Sequence, residues 1–493
     1  MEFISPNLTF FDTAKIMLKK FFKDSSIYTL PKLVSICINF IALPIYTRIL
    51  APSEYGIVEM ITITYSLLNF LLTLEIGQGM ARHLPEVQSN TEKIIYGSSS
   101  FWFTLFAYTI FVISCLLFPY PLTNILLGGQ IDKTIFYLAL FIICSNALIY
   151  QLKNILKWNL KAKAWSITTI IGALVSHSFA VFFITFLKLG IHGYLLGISI
   201  GLCAAFAISL FSTQKSTVPV RPVVDKSKLK NMLAFSMPLV LSSAASYITL
   251  YTDRWMLNTM LGIDDVGIYS VAFRIASAIT ILIVGFQQAL VPLVYHHYKE
   301  IETPQNIADI FRFFLILIFP AIAFLAAFSK EILSILVGSD FFEAHLLLAW
   351  LALAIVVLNI YIFAPGMGLV KKTKKIAFAN ICAASVNIFL NLVLIGIFGR
   401  LGAVFATLGG GITMATLYFT WSYKEYKIPY PWKRFFATNI ILLSFMIILP
   451  YFEPHLVVRL FFWIITVSII WKILLNAKEF HKMKNYLQLQ FAK

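Results

Sequence analysis

The sequence predicts an all-α polytopic membrane protein of about 14 transmembrane helices, and three observations carry that reading. First, 59% of its 493 residues are hydrophobic and only 12% are charged, with a mean hydropathy of +0.84. A soluble domain runs at about 45–50% apolar and about 25% charged. Second, the apolar runs recur at about 20 residues each, the length at which a helix crosses hydrocarbon, without the alternation over about ten residues that marks barrel strands. Third, the chain carries a repeated local pattern on either side of a basic central segment. The formal net charge of +17 would suggest nucleic acid in a soluble chain, but here it is read against topology, and no nucleic-acid partner is expected.

Taken in order, the first seven spans are roughly Ile27 to Tyr46, Tyr55 to Leu74, Gly97 to Phe118, Ile131 to Leu152, Trp165 to Leu187, Gly193 to Phe211 and Leu233 to Tyr251. The second seven are roughly Val266 to Leu290, Phe311 to Phe328, Leu346 to Phe363, Ile376 to Phe398, Ala403 to Trp421, Phe435 to Tyr451 and Leu456 to Leu475. Ser53 and Asp264 are positioned to cap the second helix of each repeat. Fourteen crossings put both termini on one side, so the cations divide into two sets. Thirty of the 39 Lys and Arg fall on the side of the termini, seven on the other, and Lys32 and Arg274 inside spans. The positive-inside rule then makes both termini cytoplasmic. The lysines of the N-terminus follow Phe10 and Phe11, with no small-residue cleavage site beyond, so a cleavable signal is not expected. Residues 11–22 alternate apolar residues with lysines in the manner of a short interfacial helix.

The repeat is specific. Tyr46-Thr47-Arg48-Ile49-Leu50 leads to Tyr55-Gly56-Ile57, and Tyr251-Thr252-Asp253-Arg254 leads to Val266-Gly267-Ile268-Tyr269-Ser270. Pro31 and Pro238 recur at nearly the same offset, about 207 to 211 residues, which describes a parallel repeat. Between the copies lies a polar connection with Pro219, Pro222 and five positive charges. Boundaries follow as a segment 1–26, a first lobe 27–213, a linker 214–232, a second lobe 233–423, a last helix pair 424–475 and a basic tail 476–493.

These motifs, a short turn ending in Tyr-Gly-Ile or Val-Gly-Ile-Tyr-Ser and repeated after a basic loop, resemble the polysaccharide-specific, O-antigen type flippases. Those belong to the multidrug/oligosaccharidyl-lipid/polysaccharide exporter superfamily. The resemblance implies two pseudo-symmetric six-helix lobes facing each other across a cavity that opens alternately to each side, plus two C-terminal helices. It also implies a lipid-linked oligosaccharide as cargo, with membrane lipids and other polysaccharide assembly proteins as partners, in the bacterial inner membrane.

Sequence chemistry argues against catalysis. No connection exceeds about 25 residues, no GxxxxGK[ST] occurs, and no cofactor or metal is expected. The five cysteines lie inside spans without metal spacing and read as small core residues. Asp264-Asp265 reads as a helix cap, and Gly409-Gly410-Gly411 as close helix packing.

Charges within spans carry the functional expectation, because an Arg or Lys at mid-bilayer costs about 2.5–3.5 kcal/mol. Arg274 lies about 12 Å along its span at 1.5 Å per residue and is expected either to face a polar cavity and meet an anionic substrate or to pair with a carboxylate. Lys32 is shallower and able to snorkel. Arg48, Asp253 and Arg254 stand at the ends of the first spans of each repeat, where Asp253 and an arginine can form a neutralising surface pair. Glu59 and Glu75 are candidates for pairing with a cation or carrying a coupling proton. Asn39, Gln78, Gln287, Asn387 and Asn391 can bind sugar hydroxyls or bond between helices, and His177 is either a satisfied interior histidine or a proton relay. The leading expectation is a flippase for an undecaprenyl-diphosphate-linked O-antigen or capsule unit. An ion-coupled multidrug exporter and a membrane-embedded transferase remain open at this point.

Overall fold

The computed structural model describes residues 26–121, 123, 132–452 and 455–475. The interfacial helix expected over 11–22 and the basic tail lie outside these. The described residues contain helices and no strand. The first half comprises α1 (Ser26–Ile49), α2 (Pro52–Thr73), the short α3 (Ile76–His83), α4 (Asn90–Leu117), α5 (Lys133–Trp158), α6 (Ala162–Thr185) and α7 (Gly190–Gln214). The second half comprises α8 (Lys226–Met260), α9 (Ile263–Ala276), α10 (Thr280–His297), α11 (Thr303–Leu336), α12 (His345–Asn359), α13 (Thr373–Phe398) and α14 (Arg400–Glu425). The last pair is α15 (Trp432–Phe452) and α16 (Leu456–Leu474). Among the described residues, thirteen helical stretches are long and apolar enough to cross a membrane, and α1 adds the shorter apolar run Leu33–Ile49.

The helices depart from the expected spans where the backbone is specialised. Span two does not simply end: Leu74 and Glu75 take φ of 49° and 55°, and the chain turns into α3. Span eight is split into α9 and α10 by a 3-10 turn at Ser277–Ile279. Span nine runs on to 34 residues, with a kink at Phe328 (φ −118°, ψ 17°). The expected caps are also corrected. Pro52 fits the first helical position with its fixed φ, so Ser53 already lies inside the first turn of α2. The cap is Ala51, whose N–H donates to Glu54 Oε2 at 3.0 Å. Asp264 likewise lies in the first turn of α9, behind Gly262 with φ of 129°, a conformation open to glycine.

Both halves use one packing scheme. In the first, α6 and α7 form an antiparallel pair flanked by α1 and α5; in the second, α13 and α14 form the same pair flanked by α8 and α12. The halves meet most extensively at the end opposite the linker, where α2 crosses α9, and again at the linker end, where α8 packs on α3. A Cβ built on Gly56 would overlap the carbonyl oxygen of Ile263, and one on Gly267 would overlap that of Pro52. Each glycine thus faces the residue four places before its counterpart, so a pseudo-two-fold axis passes through the crossing. Missing side chains let the two backbones touch, the usual device for close helix packing in lipid.

At the other end the linker is pinned rather than loose. Ser98 Oγ and Ser99 Oγ on α4 accept from the backbone N–H groups of Arg221 (2.8 Å) and Asp225 (3.0 Å). Trp102 Nε1 donates to the Arg221 carbonyl at 2.7 Å. The last pair docks on α11. Pro320 has no N–H, which strips the Ile316 carbonyl of its helical donor, and Trp471 Nε1 supplies one at 3.0 Å. Arg459 reaches the Ala327 carbonyl (3.1 Å) beside the Phe328 kink and pairs with Glu331.

Replacing Gly56 or Gly267 by Val is expected to force the α2–α9 crossing apart. Overpacking of this kind costs about 1–3 kcal/mol, so the melting temperature of the detergent-purified protein falls. Gly396→Ala, whose Cβ meets nothing within 4 Å, leaves it unchanged.

Candidate functional site

Helix α2 starts at the far end of the bundle, and seven residues along it stands Glu59, buried at 9% exposure. Opposite, near the far end of α8, are Asp253 and Arg254, and eleven residues into α9 is Arg274. At 1.5 Å per residue these groups sit about 9–17 Å below the helix ends, inside the hydrophobic layer. Two acids and two bases meet there.

Arg254 is 1% exposed. Its Nη1 donates to Asp253 Oδ1 at 2.9 Å and to the Leu250 carbonyl at 2.7 Å, and its guanidinium lies 4.1 Å from the centroid of Phe273. Tyr269 donates its hydroxyl to the same Asp253. The expected pair between Asp253 and an arginine therefore forms, but in the interior and not on a surface, because aromatic rings and a spare carbonyl from α8 and α9 close over it. Across the interface, Glu59 Oε1 lies 3.8 Å from Arg254 Nε, and Glu59 Oε2 lies 3.8 Å from Arg274 Nη2. A carboxylate of the first half is thus shared by two guanidinium groups of the second.

Arg274 keeps a 26% exposed side chain and points into a cage built by the first half. Its guanidinium is 5.3 Å from the ring centroid of Tyr55, within electrostatic reach of Tyr46, Tyr194 and His177. Tyr46 Oη and His177 Nδ1 are 2.7 Å apart, and Tyr46 meets Tyr194 edge-on at 4.9 Å. His177 is accordingly a hydrogen-bonded interior residue.

Other expected site residues lie elsewhere. Arg48, at the end of α1, donates to the Ile335 carbonyl at 3.0 Å, tying α1 to the end of α11 beside the Thr47 contact with Gly338. Glu75 stands in the left-handed break between α2 and α3, where Ser243 Oγ of α8 donates to it at 2.6 Å. Asn39 bonds locally to the Ser35 carbonyl (2.9 Å), Gln78 is exposed on α3, and Gln287 is half-buried on α10. Asn391 donates to Asn387 at 2.9 and 3.2 Å within α13. Lys32 falls on α1, and its side chain lies outside the described residues. Of the cage tyrosines, Tyr46 and Tyr55 belong to the repeated motif, as does Tyr269 beside Asp253.

Two related helical halves, joined at one end by an ion network between them, define a two-lobed bundle of membrane-length helices. Solved structures agree on the fold. The lipid II flippase MurJ in an inward closed conformation matches with a TM-score of 0.72 at 16% identity, covering 90% of this chain and 98% of that one. An inward-facing MATE family multidrug transporter matches with a TM-score of 0.65 at 14% identity, covering 83% and 97%. The chain belongs to the polysaccharide biosynthesis protein family, whose model matches residues 21–296. Among its relatives is a protein of the Lsg locus of Haemophilus influenzae, 24% identical over 362 residues, 70% of this chain and 86% of that one. The succinoglycan biosynthesis transport protein ExoT of Rhizobium meliloti is 25% identical over 248 residues, 49% of this chain and 46% of its own. A probable low-salt glycan biosynthesis flippase, Agl15 of Haloferax volcanii, is 26% identical over 186 residues, 36% and 39%.

Removing one partner of a buried ion pair costs about 3–5 kcal/mol because it strands the other charge. Arg254→Ala is therefore expected to lower the thermal stability of the purified protein strongly. The Asp253→Asn, Arg254→Ala double variant should recover part of that loss.

Proposed function

We propose that this chain moves an undecaprenyl-diphosphate-linked oligosaccharide, an O-antigen or capsule repeat unit, from the cytoplasmic to the outer face of a bacterial inner membrane. The observation that carries the reading is Arg274, a deep cation held across the interface by Glu59 at the end where the halves close. A glycan and its diphosphate cannot cross hydrocarbon unaided, whereas the prenyl tail is at home there. Phosphate oxygens compete well for a guanidinium, since the fork geometry matches them. A diphosphate arriving at Arg274 would displace Glu59, break the tie between halves and favour opening at the far end. Binding and gating then use the same ion pair.

The two halves act as lobes that separate at the α2–α9 crossing when the far end opens. At the linker end, α8 is clipped to the α2–α3 break by Ser236, which donates to the Leu74 carbonyl at 2.7 Å, and by Ser243. The symmetry counterparts α1 and α10 make at most marginal contact. Exposed Leu30 and Ile41 on α1, and Ile281 and Val291 on α10, flank that side, and the lipid tail would remain there. Lys32, Arg48 and Arg254 are the further cations proposed for the diphosphate or for opening. Glu75, Asp253, Asn39, Gln78, Gln287 and His177 are proposed for sugar contacts or coupling. The division of 30 cations against seven supports cytoplasmic termini. No residue is assigned a catalytic role.

In a strain lacking the native gene, Arg274→Ala and Glu59→Gln at wild-type membrane levels are expected to cut surface polysaccharide at least tenfold, with complete lipid-linked units accumulating on the cytoplasmic leaflet. Normal surface polysaccharide would remove Arg274 from the mechanism. Accumulation of incomplete units would point to a transferase instead.

A further inference from the structure

The repeat that relates the two halves extends to a pair of turns at the linker end, and there the copies differ by one charge. Leu160, before α6, and Lys371, before α13, both take a left-handed φ, 58° and 57°. Lys161 and Lys372 follow with φ of −87° and −80° and ψ of 55° and 57°. Each donates its N–H at 2.9 Å, Lys161 to the Leu156 carbonyl and Lys372 to that of Met367. All these pairs are 211 residues apart, the spacing of Gly56 and Gly267, so one turn is built twice.

In the second copy the lysines are neutralised. Lys372 Nζ lies 2.6 Å from Oε1 of Glu425, the last residue of α14, and Lys375 Nζ lies 3.7 Å from the same oxygen. At the same offset, α7 ends on Gln214. That side chain carries no charge, and its amide donates to the Val220 carbonyl of the linker at 2.9 Å. Lys161 and Lys163 keep their charges, and among the described residues neither has an ion-pair partner.

A groove of about 420 Å³ stands beside these lysines, lined also by Leu160, Ile167 and, two residues before Gln214, Ser212. Leu160 is 84% exposed and Ile167 38% exposed, so two cations and a hydroxyl share the groove with an apolar wall. Lys153 and Lys157 lie 4.8 and 5.1 Å from the ring centroids of Trp165 and Trp158. Tryptophans among lysines at the end of apolar helices mark the head-group level of a membrane. Cations, hydroxyl and hydrocarbon side by side at that depth match a lipid phosphate with its glycerol and acyl chains; a free anion would leave the apolar wall unused.

We propose that the groove at the turn before α6 binds the phosphate of an anionic phospholipid, in the place that Glu425 fills in the second half. Lys161, Lys163 and Ser212 would donate to the phosphate oxygens. The lipid would fasten this turn to the end of α7 as Glu425 fastens its copy to the end of α14. The site does not depend on the transport reading, and its failure would leave that reading untouched.

The test compares melting temperatures of the full-length protein in nanodiscs of phosphatidylcholine with and without about 30 mol% phosphatidylglycerol, on the order of bacterial anionic lipid content. Wild type is expected to gain stability from phosphatidylglycerol, and Lys161→Gln to lose more than half of that gain. Lys372→Gln, the same change in the copy that holds its own carboxylate, should keep it. Gln214→Glu supplies the missing carboxylate, so it should melt higher than wild type in phosphatidylcholine alone and gain little from phosphatidylglycerol. The proposal is overturned if phosphatidylglycerol adds nothing to wild type, or if inorganic phosphate added to phosphatidylcholine nanodiscs protects equally well. It is also overturned if Lys161→Gln and Lys372→Gln behave alike, or if Gln214→Glu retains the full gain.

Discussion

One carboxylate ties the two halves of this molecule together at depth. Glu59 of α2 lies 3.8 Å from guanidinium nitrogens of both Arg254 and Arg274, which reach it from α8 and α9. In water such separations would matter little, but in a low-dielectric layer each charge needs a counter-charge or pays heavily in desolvation. The four groups sum to zero, which makes it tolerable for them to sit between helices at all. The same balance makes the arrangement sensitive: any anion that offers Arg274 a better partner weakens the contact that closes the far end.

The ion network works because the backbones are already close. Gly56 and Gly267 let α2 and α9 touch around a pseudo-two-fold axis, and this brings Glu59 within range of the opposite arginines. Away from the axis the symmetry is broken. Arg274 enters a cage of Tyr46, Tyr55, Tyr194 and His177, while the position of α2 at the same offset is Ile63, and the acid that α2 does carry, Glu59, matches Ser270. Binding chemistry is thus concentrated on one side of a near-symmetric frame. The last pair, clamped by Trp463, Trp471 and Arg459 where α11 loses regular hydrogen bonds at Pro320 and Phe328, gives the second half a partner that the first half lacks.

Much of this was readable along the chain. Apolar length alone marks a membrane helix, because hydrocarbon demands that every backbone group be satisfied within the segment, and so the polytopic helical fold, the repeat and the position of Arg274 within a span follow from residue order. Helix breaks were not readable: the left-handed pair Leu74 and Glu75, the turn at Ser277–Ile279 and the kink at Phe328 leave the apolar count unchanged. Nor was it readable that Asp253 and Arg254, near the ends of apolar runs where a surface pair is the simplest expectation, are sealed beneath Tyr269 and Phe273.

The sequence by itself determined the solvent, the polytopic helical class and the presence of charges within apolar spans, since transfer into lipid is a property of each segment alone. Partners were decided only by the tertiary structure. That Glu59 serves two arginines, that Arg274 lies in a tyrosine cage, and that two glycines 211 residues apart mark one axis all depend on which helices cross and at what rotation. Those choices are set by packing summed over both halves.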